Sequence, residues 1–172
     1  MTDAERRLLL DLRKRGLVSG DVSRWGYPAL RCVRAGHEPQ RSADATPLQK
    51  RFVACAYGTR GTGDDLCASW VEQSFSRLGL GVVLGSAREL CDRYCPHVDT
   101  VDLKVGMIVA TTAHPYTAQG LAHGHVGIYI GDEQMLDCVA EGVRKAPLGL
   151  WLSAYGLMAD PRWGWLGSLG LG

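Results

Sequence analysis

The spacing of apolar residues separates a helical first part of the chain from a later part made of short strands. Helices are predicted at residues 3–16, 48–58, 65–79 and 87–90, where apolar positions recur every three to four residues. In the third of these segments, Asp65 is a suitable N-cap and Gly79 a suitable residue just past the end. Cys67 therefore falls in the first turn of a predicted helix.

After Pro96 the pattern becomes typical of β-structure. Strands are predicted within "LKVGMIVATTA" (103–113), "GHVGIYIGD" (124–132), "EQMLDCVA" (133–140) and "GVRKAPL" (142–148), which are rich in β-branched residues and separated by Gly or Asp. Gly131-Asp132 suits a hairpin turn. Helices followed by an antiparallel meander predict an α+β domain with one face of the sheet covered by helices.

The pattern also predicts how the chain is organised. Glycines and prolines interrupt any period after the first helix, so residues 1–45 are predicted to be a helical and irregular extension that packs on the main domain as a structural cap. The main domain is predicted at 46–166. Residues 167–172, rich in glycine, are predicted to be a flexible tail.

Composition narrows the class of protein. Of the 172 residues, 46% are hydrophobic and 22% charged, and the net charge of +1 provides no general attraction to nucleic acid. No apolar run is long enough for a membrane span, and the "LLL" near the N-terminus is too short for a signal-peptide core. As encoded, the protein is expected in the cytoplasm.

The six cysteines are mostly expected to be reduced core residues, because no export signal is evident. Cys91, Cys95 and His97 lack a second pair of ligands at zinc-finger spacing, so no metal site is predicted there. No metal or organic cofactor is expected elsewhere.

Cys67 is the candidate nucleophile. Unpaired N–H groups at a helix start stabilise a thiolate, although the neighbouring Asp64 and Asp65 oppose this unless they act as caps. A catalytic thiol also needs a histidine, and the candidates are His37, His97, His114, His123 and His125. His125 is preferred because the regular strand pattern begins directly after it, with His123 as the alternative.

Asp137 is the candidate for orienting the histidine ring. It lies on the next predicted strand, just across a hairpin from His125, where cross-strand neighbours on one face come within hydrogen-bond reach. Alone, each of these residues also has a structural explanation: a core thiol, a satisfied strand histidine and a hydrogen-bonded strand carboxylate. Together they predict a Cys-His-Asp site.

The order Cys67, His125, Asp137, with the strand "GHVGIYIGD" preceded by "LKVGMIV", resembles the NlpC/P60 cysteine peptidases over residues 48–165. The resemblance implies a papain-like α+β fold and a catalytic domain at 46–166. It implies hydrolysis of peptidoglycan stem peptides between γ-D-glutamate and a diamino acid. It also implies that Cys67 is the nucleophile, His125 the base and Asp137 the third residue, with Tyr57 helping at the oxyanion site.

Several positions depart from the family pattern. Leu66 stands where Asp is usual, Ala68-Ser69 where Ser-Gly is usual, and Asp137 where His is more common. With Trp70, these departures leave a CHAP-type amidase as a related alternative. A same-fold hydrolase acting on a non-wall amide and a catalytically silent binding module are the other readings. A wall substrate would require delivery by a phage or another export route.

Overall fold

The fold is an antiparallel sheet with helices packed against it. The computed structural model describes residues 38–61 and 66–172. The five α-helices found there are α1 (Pro47–Tyr57), α2 (Leu66–Arg77), α3 (Ala87–Tyr94), α4 (Ala118–His123) and α5 (Leu148–Tyr155). The five strands are β1 (Ile108–Thr111), β2 (His125–Gly131), β3 (Gln134–Val139), β4 (Gly142–Pro147) and β5 (Arg162–Gly164). The α+β prediction is confirmed.

Local sequence signals set the helix boundaries. The Thr46 hydroxyl accepts from the backbone N–H of Gln49, whose side chain accepts from the Thr46 N–H, so a reciprocal capping box opens α1. Ser86 and Glu89 form the same arrangement at α3. Beyond α2, Gly79 has a φ of +78°, a conformation that favours glycine, and it stops the helix where the sequence predicts. The predicted cap Asp65 and the predicted helix at 3–16 lie outside the described residues.

The strands are ordered β4-β3-β2-β1-β5, and all neighbours are antiparallel. A hairpin joins β2 to β3 as predicted, but its turn lies one residue further along than Gly131-Asp132. The two linking residues, Asp132 and Glu133, both have positive φ, as a tight type I′ turn requires. Strand β5, from the segment after Pro161, pairs with β1 at the far edge. The sequence pattern did not indicate this strand.

The sheet is covered on both faces, which corrects the prediction of a single covered face. Helices α1, α2 and α3 contribute to a core that includes Phe52, Trp70, Leu90, Ile128 and Leu136. The opposite face carries a second core that includes Val109, Tyr129, Met135, Trp151 and Trp163. Helix α5 supplies part of this second layer. Its sequence, "LGLWLSAY", is apolar nearly all round and so lacks the periodicity that identifies a surface helix.

Both ends of the described chain contact the domain. The backbone N–H of Gln40 donates to the Leu103 carbonyl, and Tyr129 donates its hydroxyl to the Gln40 carbonyl. At the other end Leu171 is buried, and its carbonyl accepts from the Thr46 hydroxyl. The division into 1–45, 46–166 and 167–172 stays a prediction.

Candidate active site

Cys67 lies in the first turn of α2, as predicted, and is partly buried beside His125. Burial would raise the pKa of its thiol. The positive charge of His125, a hydrogen bond with that ring, and the backbone N–H groups of Val126 and Ala68 outweigh burial and lower the pKa below its ordinary value. The helix start thus helps to stabilise a thiolate at Cys67.

His125 begins β2 and is buried between the thiol and a carboxylate. Its Nε2 lies 2.8 Å from Oδ2 of Asp137, which leaves Nδ1 as the ring nitrogen for the Cys67 thiol. Burial would lower the pKa of His125. The negative charge of Cys67 and the hydrogen bond to Asp137 prevail and raise it to about 9. A thiolate–imidazolium pair is the arrangement that these shifts favour near neutral pH.

Asp137 is fully buried on β3 and accepts hydrogen bonds from three side chains. Arg144, directly opposite on β4, donates Nε to Oδ1 and Nη2 to Oδ2, both at 2.8 Å. The indole N–H of Trp151 donates to Oδ2 at 3.1 Å, and His125 completes the set. Burial opposes ionisation, but these contacts, led by the hydrogen bond to His125, hold the pKa of Asp137 well below its usual range.

Two aromatic rings from α5 stack on the His125 imidazole. The Tyr155 ring stacks on His125 with centroids 4.1 Å apart, and the Trp151 ring lies nearly parallel at 5.7 Å. The Tyr155 hydroxyl accepts from Nη2 of Arg144 at 2.8 Å. Trp151 and Tyr155 are four residues apart, so one face of one helix brings both rings to the site.

His114 is a second histidine beside the site. Its ring meets that of His125 edge-on at 5.8 Å, and Nδ1 accepts from the Tyr116 backbone N–H. Burial, and then the charge of His125, lower the pKa of His114 to about 4, so the ring is neutral at pH 7. His123, the alternative base, ends α4 instead of entering the strand and lies at the wall of the cavity.

The site opens into a cavity of about 380 Å³. Its walls come from the starts of α2 and α3, from α4, α5 and the loop before α4, and from strands β2, β3 and β4. They include Cys67, His114, His125, Glu141, Arg144 and Tyr155. Tyr57 is not among the described residues that line it. Tyr57 ends α1, is 51% exposed and borders a neighbouring groove with Leu66 and Cys138. The structure therefore brings Cys67, His125 and Asp137 together and leaves Tyr57 apart from this cavity.

Sequence reasoning missed Arg144, Trp151 and Tyr155 as parts of this cluster, and it named His114 only as a candidate base that was passed over for His125. For Arg144 a signal existed, because Val139 and Gly142 flank a short turn and the antiparallel register then places Arg144 opposite Asp137. The α5 residues and His114 reach the site only through tertiary packing.

The described residues include Cys91, Cys95 and His97, the group considered above as a possible metal site. Within residues 38–61 and 66–172, no group of three or more His, Cys, Asp or Glu side chains is placed to hold a metal ion. Cys91 is buried on α3 and Cys95 is buried directly after the end of that helix, while Nδ1 of His97 lies 3.7 Å from Oδ2 of Asp102. In the same described ranges, no helix has both the length and the apolar character needed to cross a membrane. The candidate base His37 lies outside the described residues.

Comparison with known proteins identifies the fold. No protein-family model and no curated protein sequence matches this chain. Among solved structures, NlpC1 from Trichomonas vaginalis is similar with a TM-score of 0.50 and 16% identity, covering 69% of this chain and 43% of its own. NlpC2 from the same organism has a TM-score of 0.52 and 17% identity, covering 72% and 48%.

A third similar structure is the peptidoglycan hydrolase RipB from Mycobacterium tuberculosis, with a TM-score of 0.48 and 18% identity over 94% of this chain and 78% of its own. The chain spans less than half the length of the two NlpC proteins. The similarity to those two concerns the fold. The resemblance stated from the sequence is thus confirmed at the level of the fold, and this chain has the α+β fold of the two NlpC proteins.

Proposed function

We propose that this chain is a cysteine peptidase or amidase that hydrolyses peptidoglycan stem peptides between γ-D-glutamate and a diamino acid. The observation that carries the reaction class is the pairing of His125, through Nε2 with Asp137 and through its other nitrogen with the Cys67 thiol at a helix start. The NlpC-type fold supports this reading. The wall substrate rests on the sequence resemblance over residues 48–165.

The proposed reaction is acyl transfer through a thioester. The Cys67 thiolate attacks the amide carbonyl carbon, and the backbone N–H of Cys67 donates to the developing oxyanion. The His125 imidazolium then gives its proton to the departing amine. Water, deprotonated by His125, hydrolyses the thioester and releases the acid. Asp137 holds the ring orientation throughout, while a contribution of the Tyr57 hydroxyl to the oxyanion site stays a prediction.

The test is a digest of purified stem peptides and intact sacculi, with diaminopimelate in one set and lysine in the other. The unaltered protein, Cys67→Ser and Cys55→Ser would be compared by mass spectrometry of the products. Cys55 is the matched control because its thiol donates to the Ser74 carbonyl, away from the cavity. We expect cleavage by the unaltered protein and Cys55→Ser, and a rate lower by at least about a thousandfold in Cys67→Ser.

Each other outcome removes part of the proposal. Cleavage that survives Cys67→Ser would mean that Cys67 is not the nucleophile. No cleavage by the unaltered protein would reject the stem-peptide substrate. Rapid, selective alkylation of Cys67 would then indicate a hydrolase of another amide, whereas uniform slow alkylation of all thiols would indicate a binding module.

A further inference from the structure

The ion pair between Asp137 and Arg144 makes more contacts than are needed to orient the His125 ring. An amide or a single carboxylate oxygen would suffice to accept the Nε2 proton. Here Asp137 is instead a buried carboxylate with both oxygens engaged by the guanidinium of Arg144, which itself retains only limited exposure (18% of its side chain). A two-pronged contact of this kind is the strongest that arginine makes with a carboxylate. The contact of Arg144 with both oxygens of Asp137 therefore needs a reason other than ring orientation, and we look for it in the charges.

The number of charged groups around His125 accounts for the ion pair between Asp137 and Arg144. The Cys67 thiolate lies on one side of the ring and the Asp137 carboxylate on the other, so two anions face one imidazolium. One cation cannot neutralise two buried anions, and uncompensated buried charge is costly. Arg144 adds a second cation. Thiolate, imidazolium, carboxylate and guanidinium then alternate in sign and sum to zero.

We propose that Arg144 is a positioning residue that neutralises Asp137, so that the charge of His125 is left to stabilise the Cys67 thiolate. This inference rests on the proposed role of Cys67 as the nucleophile. Through the Tyr155 hydroxyl, Arg144 also holds the ring that stacks on His125, so one guanidinium supports two of the groups that touch the imidazole.

The other titratable groups near this array come from each element packed around it. They are Tyr155 on α5, His114 and Tyr116 before α4, His123 at the end of α4, Cys138 on β3 and Glu141 after β3. Burial raises the pKa values of Tyr155, Cys138 and Tyr116, the last to about 12, and His114 is neutral as described. Glu141 and His123 lie at the cavity wall. The four groups whose charges alternate in sign, on Cys67, His125, Asp137 and Arg144, therefore lie at the centre, with the other titratable groups around them.

The experiment measures the rate at which Cys67 is alkylated by iodoacetamide as a function of pH, in the full chain, with the modified thiol identified by peptide mass mapping. The midpoint of that profile reports thiolate formation and needs no substrate. We expect Arg144→Gln to raise the midpoint by about one pH unit or more, which is about a tenfold loss of thiolate below it. Lys145→Gln, an exposed neighbour on β4, should leave the midpoint unchanged.

Two further variants separate charge balance from simple packing. Arg144→Lys keeps the cation and should hold the midpoint within about half a unit of the unaltered protein. Asp137→Asn combined with Arg144→Gln removes both charges and keeps an acceptor for the His125 ring. It should bring the midpoint most of the way back, although it removes more native contacts than Arg144→Gln alone.

The inference is overturned if Arg144→Gln leaves the midpoint in place, if Arg144→Lys shifts it as far as Arg144→Gln, or if the double variant shifts it further upward. Should Arg144→Gln fail to fold by circular dichroism, the double variant decides alone: a midpoint near the unaltered value supports charge balance, and a raised one rejects it. Because alkylation needs no peptide, a wrong assignment of the substrate would leave these outcomes readable. A Cys67 with ordinary reactivity in the unaltered protein would reject the nucleophile and this inference together.

Discussion

His125 keeps its proton well above the pH at which a free histidine loses it. The ring is buried, which by itself favours the neutral form, yet its pKa is raised to about 9 because anionic groups lie on two sides. The folded protein therefore favours the charged ring. Its contribution to stability is complete below the pKa of about 6.5 in the unfolded chain and is lost as pH rises through about 9.

The contribution of Cys67 to this shift is measurable. We expect the His125 ring to titrate near pH 9 in the unaltered protein and at a clearly lower pH in Cys67→Ser, because the negative charge of the thiolate is gone. Nuclear magnetic resonance of the ring protons, with His114 as an internal reference that stays neutral above about pH 4, would show both midpoints. Equal midpoints in the two proteins would mean that the thiolate does not face the ring.

At the scale of elements, the short helix α4 and the longer helix α5 form walls of the cavity beside His125. Gly120 in α4 packs so closely under His114 that an added Cβ would overlap the ring atoms, so the ring would have to move. Gly149 in α5 has open space where a Cβ would go. A methyl group therefore fits at Gly149 and does not fit at Gly120.

Alanine at each position should change the free energy of unfolding in opposite directions. Gly149→Ala should stabilise the protein by about 0.5–1 kcal/mol, since alanine is the better helix former. Gly120→Ala should destabilise it by about 1–3 kcal/mol, because the new methyl group displaces the buried His114 ring. Urea unfolding of both variants checks this pair, and a stabilised Gly120→Ala would show that α4 does not pack on His114 as described.

At the scale of the whole molecule, the last residues complete the first core. Leu171 is only 2% exposed and belongs to the cluster formed by α1, α2 and the sheet. The Thr46 hydroxyl, at the start of α1, donates to its carbonyl. Burial at this position argues against mobility there, whereas the glycine-rich sequence predicts a flexible tail from residue 167.

A pair of leucine substitutions decides between packing and mobility. Leu171→Ala should lower the free energy of unfolding by about 2 kcal/mol or more, the usual cost of emptying a buried leucine site. Leu169→Ala, at a position that is 42% exposed, should change it by no more than about 0.5 kcal/mol. Thermal or urea unfolding distinguishes the two, and an equally small effect of both would favour the flexible tail.

By itself, the sequence determined the features that depend on local signals. Period, capping residues and turn residues predicted α1, α2, α3, the meander and the β2–β3 hairpin, because each is encoded by neighbours within a few positions of the chain. The same local pattern put Cys67 at a helix start and His125 at the head of a strand.

Only the tertiary structure decided what surrounds those residues. Helix α5 lacks a periodic pattern of apolar and polar residues, and β5 is only three residues long. Both elements are therefore defined by the layers against which they pack. Arg144 meets Asp137 through strand register, and the rings of Trp151 and Tyr155 arrive from the second face of the sheet. Charge balance and burial at a site depend on such distant neighbours, so residue types and spacing could nominate Cys67, His125 and Asp137 but could not establish the environment that sets their ionisation.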